Sequence, residues 1–423
     1  MKESIFFLTA IESPTHSVGI EYQFLNPLKR LAQIHREMSF SYLALIPWRI
    51  YFFPLHPLRG KKKDLQNKLA SVGVRCHLFP IPYPIRYRDF HLKLIHLSLF
   101  VISALPGLFY YVLKYKIDLI HVRSYPACLL AFFVKRLLKI PYIFDLRGMY
   151  PEEGINSGVF TLNSFSYRLW KAIEGRLLKE SSISIAVSEP FAEYVRELIP
   201  QAGVCVVPCC VDTRIFHFEP EKKKEVRHKF GLEEYFVLLH SGSFGTPGDR
   251  GLAAQYFLRF KKMKENAHLV ILSGTPAFRK KIETAIEKEG VKKDEYTLIN
   301  PSAEEIPSLL LLGDAGLILE RKMPNTKVCL SIKLGEYLSC GLPVICTPYV
   351  EGAARLVEKY NCGLIIDPDK ETTYEKEQRF LEDYQQLREN GFKLVKEYLS
   401  LEKCVEKWCK IYEEVNSQCF RKF

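Results

Sequence analysis

Short apolar runs alternate with helix-length amphipathic segments along almost the whole chain, and this alternation limits the fold more than any other feature. SIFFLTA, FSYLALIP, VRCHLFPI, DLIHVRS, YIFDLRG and SISIAVS form a first set; FVLLHSG, AHLVILSG, YTLINPS, AGLILE, PVICT and GLIID form a second. Short runs that are apolar on both sides are strands buried on both faces. With helices between them they build parallel sheets covered on both sides. Six runs precede residue 190 and six follow residue 235, so two α/β domains facing across a cleft are expected. The boundary is read near residue 202, giving domains 1–202 and 203–395. From residue 370 the pattern turns helical and charged, and 396–423 is expected as a helix packing back across the domains.

The chain of 423 residues has room for two domains, and 48% hydrophobic against 26% charged residues makes it globular. The opening MKESIFFLTAIES meets an acidic residue at once and has only a strand-length apolar run, so it is not read as a secretory signal. Twelve cysteines show no even framework: Cys209 and Cys210 are adjacent, and Cys404 and Cys409 lack a second ligand pair. Free thiols in a reducing, cytoplasmic compartment follow, with no metal site. The string Asp367-Pro368-Asp369 reads as a loop after the last strand rather than as a cation holder.

The net charge of +12 is uneven. Residues 1–140 hold 20 Lys+Arg and 7 Asp+Glu, whereas the remainder holds 40 and 41. A basic first third implies an anionic partner. IPWRIYFFPLHPLRGKKK and PIPYPIRYRDFHLKLIHLSLF interleave rings with cations, as suits an anionic membrane surface. No nucleic-acid-binding signature accompanies them. Residues 94–113 contain no Asp, Glu, Lys or Arg. Spanning, lying on the membrane and simple burial are the three readings. Spanning would strand the first ninety residues opposite the sheet they join, and Pro106-Gly107 interrupts the helix.

In open parallel sheets ligands bind beyond the carboxyl ends of the strands. The stretch SIKLGEYLSCGLPVICTP lies before one such strand. Ser331 is placed as N-cap, Gly341 as the stop, and Pro343 at the strand entry. Lys333 and Glu336 share one face near the positive end of this helix. A lysine there adds to the dipole, which is unfavourable unless an anion docks against the free N–H groups. A carboxylate one turn further in can accept two hydrogen bonds from a sugar diol. The rival reading is a surface ion pair three residues apart.

The same stretch resembles the nucleotide-sugar motif of GT-B glycosyltransferases of the family-4-like group, S-P-x-K-x-x-E-Y-L-A-x-G-x-P-V-I. IFDLRGMYPEEG resembles their amino-domain loop, VVPCCVDTRIF the segment opening the carboxyl domain, and LLHSGSFGTPGDRGL its glycine loop. The resemblance spans about residues 1–370 and implies two Rossmann-like domains. It further implies transfer of a sugar from a nucleoside diphosphate, with retained configuration and no metal or other cofactor. By position it gives Glu336 the ribose and Lys333 the diphosphate, with Ser331 beside them. Arg250 stands where a second phosphate ligand belongs, and Gly242 and Gly245 let backbone approach the phosphates. Gly19 occupies the amino-domain glycine loop. Two departures stand out: Val328 replaces a glutamate that contacts the transferred sugar, and Ser331 replaces proline. Sugar selection then falls to Arg321, Lys322 or Asn325.

On the amino domain Asp145 and Arg147 end a strand, with Glu152 and Glu153 after them. Asp145 or Glu153 could hold acceptor hydroxyls or act as base, and Arg147 could meet an acceptor phosphate or Glu153 itself. His121 and Arg123 are expected at the cleft edge, His121 with a core role as the alternative. The function expected is a glycosyltransferase using a UDP- or GDP-type donor and a glycan or lipid-linked acceptor, for lipopolysaccharide or capsule, peripheral on the inner membrane face. An epimerase on the same fold, or a non-catalytic sugar-nucleotide binder, would keep Lys333 and Glu336 too.

Overall fold

The computed structural model describes residues 3–11, 14, 18–52, 58–81, 94–242, 244, 247–273, 276–368, 370 and 374–420. The chain divides into two compact units, Met1–Pro208 with Cys404–Phe423, and Cys209–Lys403. The first holds a parallel sheet of seven strands: β1 Ser4–Ala10, β2 Ser39–Pro47, β3 Arg75–Ile81, β4 Leu119–Arg123, β5 Tyr142–Asp145, β6 Ile183–Ala186 and β7 Val204–Val206. Their spatial order is β3-β2-β1-β4-β5-β6-β7. All seven residues of β1 are buried, because helices cover both faces and leave no side for a polar stripe. The second unit holds six parallel strands: β8 Phe236–Ser241, β9 Ala267–Leu272, β10 Tyr296–Ile299, β11 Ala315–Ile318, β12 Val344–Cys346 and β13 Gly363–Ile365. Their order is β10-β9-β8-β11-β12-β13. Both sheets are of the Rossmann-like, doubly wound kind.

Each of the twelve apolar runs became a strand, and β7 makes the thirteenth. β7 pairs with β6, Ser184 facing Val204. The compact unit therefore runs on to Pro208, past the boundary read near residue 202. The helix Leu401–Phe420 delivers Trp408 and Tyr412 into the first unit's core, 1% and 2% exposed. In each sheet the winding direction reverses between two neighbours, β1 and β4 in one and β8 and β11 in the other. The crevice at such a reversal is where ligands bind in this architecture.

The second unit is tied at its entry by one buried carboxylate. Asp314, just before β11, accepts 2.8 Å bonds from Lys223 Nζ and Arg227 Nη1 and a bond from the Val237 N–H. Both cations come from the helix Pro220–Phe230. Burial pushes the Asp314 carboxyl up, but Lys223 and Arg227 outweigh it and hold it below the ordinary aspartate value. Burial also lowers the pKa of Lys223, so Arg227, which does not deprotonate, is the firmer partner. A depressed carboxyl contributes stability above its unfolded pKa and loses it as pH falls through the folded one. Asp314→Ala, which leaves two cations uncompensated, should cost about 3–5 kcal/mol in urea unfolding. The wild type's advantage over Asp314→Asn should shrink as pH drops below 3.8, the free-aspartate value.

Candidate functional site

At the reversal between β8 and β11, one tyrosine seats the helix Ile332–Ser339. The Ser241 N–H at the end of β8 donates to Tyr337 Oη at 2.7 Å. Gly316 in β11 leaves the slot for the ring; a Cβ there would overlap it. Tyr337 is fully buried. On the opposite flank Gly335 faces Val211, whose side chain would lie 3.1 Å from an added Cβ. The helix stops as the sequence predicts: Gly341 takes φ +77° and the Leu342 N–H reaches Tyr337 O at 3.0 Å.

Seated this way, the helix lays Lys333 against the turn after β8. Lys333 Cε lies 3.3 Å, and Nζ 4.0 Å, from where a Cβ on Gly242 would stand. Gly242 has φ +97°, and its N–H is committed to Leu272 O at 2.8 Å. The glycine therefore contributes room for the lysine rather than a donor of its own. Gly245 lies outside the described residues. Ser331 holds the N-cap position, yet its hydroxyl makes no capping bond; only its carbonyl joins, accepting from Leu334 N–H. The helix thus keeps uncapped N–H groups beside a lysine.

Glu336 is not half of a surface pair. It is 8% exposed, and no hydrogen bond or ion pair within the described residues engages its carboxylate. Burial raises its pKa to about 7, with the Lys333 charge acting in the opposite sense. His240, in the strand beneath Gly242, is buried and stacked 4.0 Å from the Phe244 ring. Burial and Lys333 hold its pKa well below the histidine norm, so the imidazole there is neutral. A polar residue inside the apolar run FVLLHSG was the sequence signal for it.

Arg250 is on the first turn of the helix Pro247–Lys261, partly exposed, and Arg321 is exposed beyond β11. Lys322 lines a cavity of about 570 Å³ with Met323, Thr326, Tyr349 and Glu351. Val328 is buried, 2% exposed, and faces the core rather than a ligand. Asp367 accepts the Tyr349 hydroxyl at 2.8 Å and pairs with Lys370.

In the first unit, three residues other than glycine hold positive φ at the carboxyl ends of neighbouring strands. They are Ile11 after β1 (φ 71°), Ser124 after β4 (φ 69°) and Arg147 after β5 (φ 65°). Such backbone costs about 1–3 kcal/mol each and gathers at functional sites. Ser124 and Ile11 carry no sequence signal, since neither is a residue type that favours this conformation. Arg147 donates through Nε to Asp145 Oδ2 at 2.8 Å and through Nη2 to the Gln23 carbonyl at 2.7 Å. Burial pushes the Asp145 carboxyl up, but Arg147, His121 and Arg123 together hold it below the ordinary value.

His121 does not reach a sheet edge. It is fully buried, walled in by Phe7, Phe24 and Trp408, with Nδ1 2.7 Å from Tyr412 Oη and Nε2 3.7 Å from Asp145. Burial lowers its pKa although Asp145 pulls it up. Its hydrogen bond goes to Tyr412 rather than to Asp145, whereas Arg147 bonds Asp145 directly. The two glutamates divide: Glu152 is buried, accepting from Tyr167 and pairing with Lys171 at 3.1 Å. Glu153 is exposed and folds over Gly148, where a Cβ would overlap its Oε1. Gly19 is half-buried in the turn Val18–Ile20, which leads into Gln23, and Arg123 is 9% exposed at the end of β4.

Tyr337→Phe, which strips a partner from the buried Ser241 N–H, should lower unfolding free energy by about 1–3 kcal/mol. Gly316→Ala should cost at least as much, because backbone and ring cannot both keep their places. Urea denaturation of the two variants checks both.

The model for a glycosyl transferase 4-like domain matches residues 56–210, and the model for glycosyl transferases group 1 matches residues 222–393. No curated protein matches the sequence. Among solved structures, sucrose-phosphate synthase from Thermosynechococcus elongatus aligns over 99% of this chain and 100% of its own, at 15% identity and TM-score 0.72. Anabaena HepE in complex with UDP aligns over 97% and 100%, at 15% identity and TM-score 0.68. WaaG, a glycosyltransferase involved in lipopolysaccharide biosynthesis, aligns over 96% and 99%, at 15% identity and TM-score 0.59. The two family models together take in most of both units, and the chain belongs to the GT-B glycosyltransferases of the family-4-like, group 1 kind.

Proposed function

We propose that this glycosyltransferase moves a sugar from a UDP- or GDP-type donor to a glycan or lipid-linked acceptor for a surface polysaccharide such as lipopolysaccharide or capsule. Transfer retains the anomeric configuration and uses no metal. The protein acts at the cytoplasmic face of the membrane as a peripheral protein. One observation carries the donor half: Lys333 lies beside Gly242 at an uncapped helix end, with the buried Glu336 carboxylate one turn further on. HepE, which is similar in fold, has been solved with UDP and with UDP-glucose, and this supports a nucleotide-sugar donor.

Negative charge grows on the diphosphate as the sugar leaves. Lys333 and the amino-terminal N–H groups of the Ile332–Ser339 helix, which the Ser331 hydroxyl does not cap, stabilise it there, and fixed donors of this type contribute about 3–4 kcal/mol each to the barrier. Glu336 receives the ribose hydroxyls, and these bond a buried carboxylate that has no hydrogen-bond partner among the described residues. The neutral His240 adds no competing charge below the phosphates. In the first unit Arg147, fixed by Asp145 and Gln23, meets acceptor phosphate or hydroxyl, and the exposed Glu153 takes the acceptor proton.

Thermal-shift titration should give stabilisation by UDP or GDP, about 2.7 kcal/mol at a hundredfold excess over Kd. Lys333→Ala should weaken the diphosphate about 10–100-fold and the nucleoside hardly at all. Glu336→Ala should weaken both. Equal small losses for both ligands in both variants would sink the assignment.

A raised carboxyl carries a signed pH dependence. The Glu336 contribution to stability is complete below 4.5, the free value, and is lost as pH rises through about 7. Ribose hydroxyls donate more strongly to the ionised form, so binding should tighten over that same rise. Uridine, which has no phosphate to titrate, should bind more tightly at pH 8 than at pH 6 by about tenfold, one pKa unit's worth of coupling. Glu336→Gln should flatten that dependence, as read by calorimetry.

A further inference from the structure

Among the described residues one helix, at His96–Lys114, is long and apolar enough to cross a bilayer, with mean hydropathy 1.7 and 33% of its length buried. It belongs to the helix Leu94–Lys114, and its two faces are unequal. Leu97, Phe100, Ala104, Leu108 and Val112 recur every three or four residues and are at most 8% exposed. Gly107 presses on β3: an added Cβ would lie 2.6 Å from the Phe79 ring. The helix is therefore fastened to the sheet along its whole length, and crossing a membrane would tear that face away.

The opposite face is the anomaly. Leu99, Ile102, Tyr110 and Leu113 are 46%, 70%, 55% and 61% exposed, with exposed Pro106 between them. Their spacing of three and four residues makes one continuous stripe. A helix on the surface of a water-soluble domain carries charge there; this one has none before Lys114. At its carboxyl end Lys114 Nζ bonds Tyr110 Oη at 3.1 Å, and the Arg75 guanidinium covers the Tyr115 ring at 4.4 Å. The next helix, Tyr125–Leu138, packs beside it, because both belong to right-handed crossovers on the same side of the sheet. It adds Leu137, 66% exposed, while its Lys135 and Arg136 are paired with Glu180. Rings and cations at the margin of an apolar stripe match the interfacial layer of a bilayer whose headgroups are negative.

We propose that the stripe Leu99–Ile102–Tyr110–Leu113 lies in the plane of an anionic phospholipid bilayer and docks the first unit on the membrane without crossing it. The inference rests on the membrane-side acceptor proposed above and names the surface that would serve it. Basic residues around an apolar stripe complement anionic lipid and would repel a second copy of the same face.

Flotation of the full chain with phosphatidylcholine vesicles holding about 30% phosphatidylglycerol should carry the protein, and vesicles of phosphatidylcholine alone about tenfold less. Ile102→Glu and Leu113→Glu should each lower the vesicle-bound fraction about tenfold, with the thermal midpoint and the UDP-induced shift unchanged. Leu99→Trp should gain fluorescence that lipids brominated near the headgroup quench. Quenching only by lipids brominated near the bilayer centre would mean spanning and overturn the proposal. So would an absence of flotation, or flotation that neither glutamate variant weakens. A dimer in lipid-free solution that Ile102→Glu dissolves would assign the stripe to a second copy instead. The UDP shift is measured without lipid, so its loss with flotation intact would strike the donor reading and leave the docking face standing.

Discussion

The donor half of this protein depends on where one phenol ring is seated. Tyr337 occupies the space that Gly316 vacates in β11 and takes the N–H that Ser241 offers at the end of β8. These two constraints fix the rotation of a helix only eight residues long. Lys333 and Glu336 inherit their positions from that rotation, since side chains three or four residues apart turn together. The part of the motif that carries no charge is thus what makes its charged part usable. The glycine at 242 completes the arrangement by standing aside for the lysine.

The protein treats buried charge in two ways. In the first, Asp145 is surrounded by Arg147, His121 and Arg123, and its pKa falls despite burial. Glu174 is also bonded, accepting from Tyr125 and Tyr194 and pairing with Lys171, although burial raises its pKa. These groups are held rigid and give their neighbours fixed geometry. In the second, Glu336 is buried with no hydrogen-bond partner among the described residues, and its pKa rises to about 7. Burial of that carboxylate costs stability, and the proposed ribose hydroxyls would complete it. Strained backbone at Ile11, Ser124 and Arg147 marks the same exchange at the other sheet.

The sheets were legible because a strand covered on both faces must be apolar throughout, and such runs are hard to mistake. The boundary read near residue 202 falls before β7, which pairs with β6, since three half-buried residues do not say which sheet they join. Lys333 and Glu336 were legible from spacing, helix polarity and a family motif. Whether Glu336 was a surface pair was not, because burial of a carboxylate depends on what packs over the helix. His121 stood between a cleft role and a core role for the same reason: its walls are Phe7, Phe24, Trp408 and Tyr412, gathered from the two ends of the sequence. Gly148 and Gly316 looked like ordinary glycines, and only the neighbouring side chains explain them.

Trp408 and Tyr412 close over a histidine that was made almost three hundred residues earlier. During synthesis the first sheet can form, but the face that these rings cover stays open until the helix Leu401–Phe420 is made. The amino-terminal unit is therefore finished only after the second unit has been translated. A truncation in the closing helix would injure the part of the molecule most remote from it in sequence.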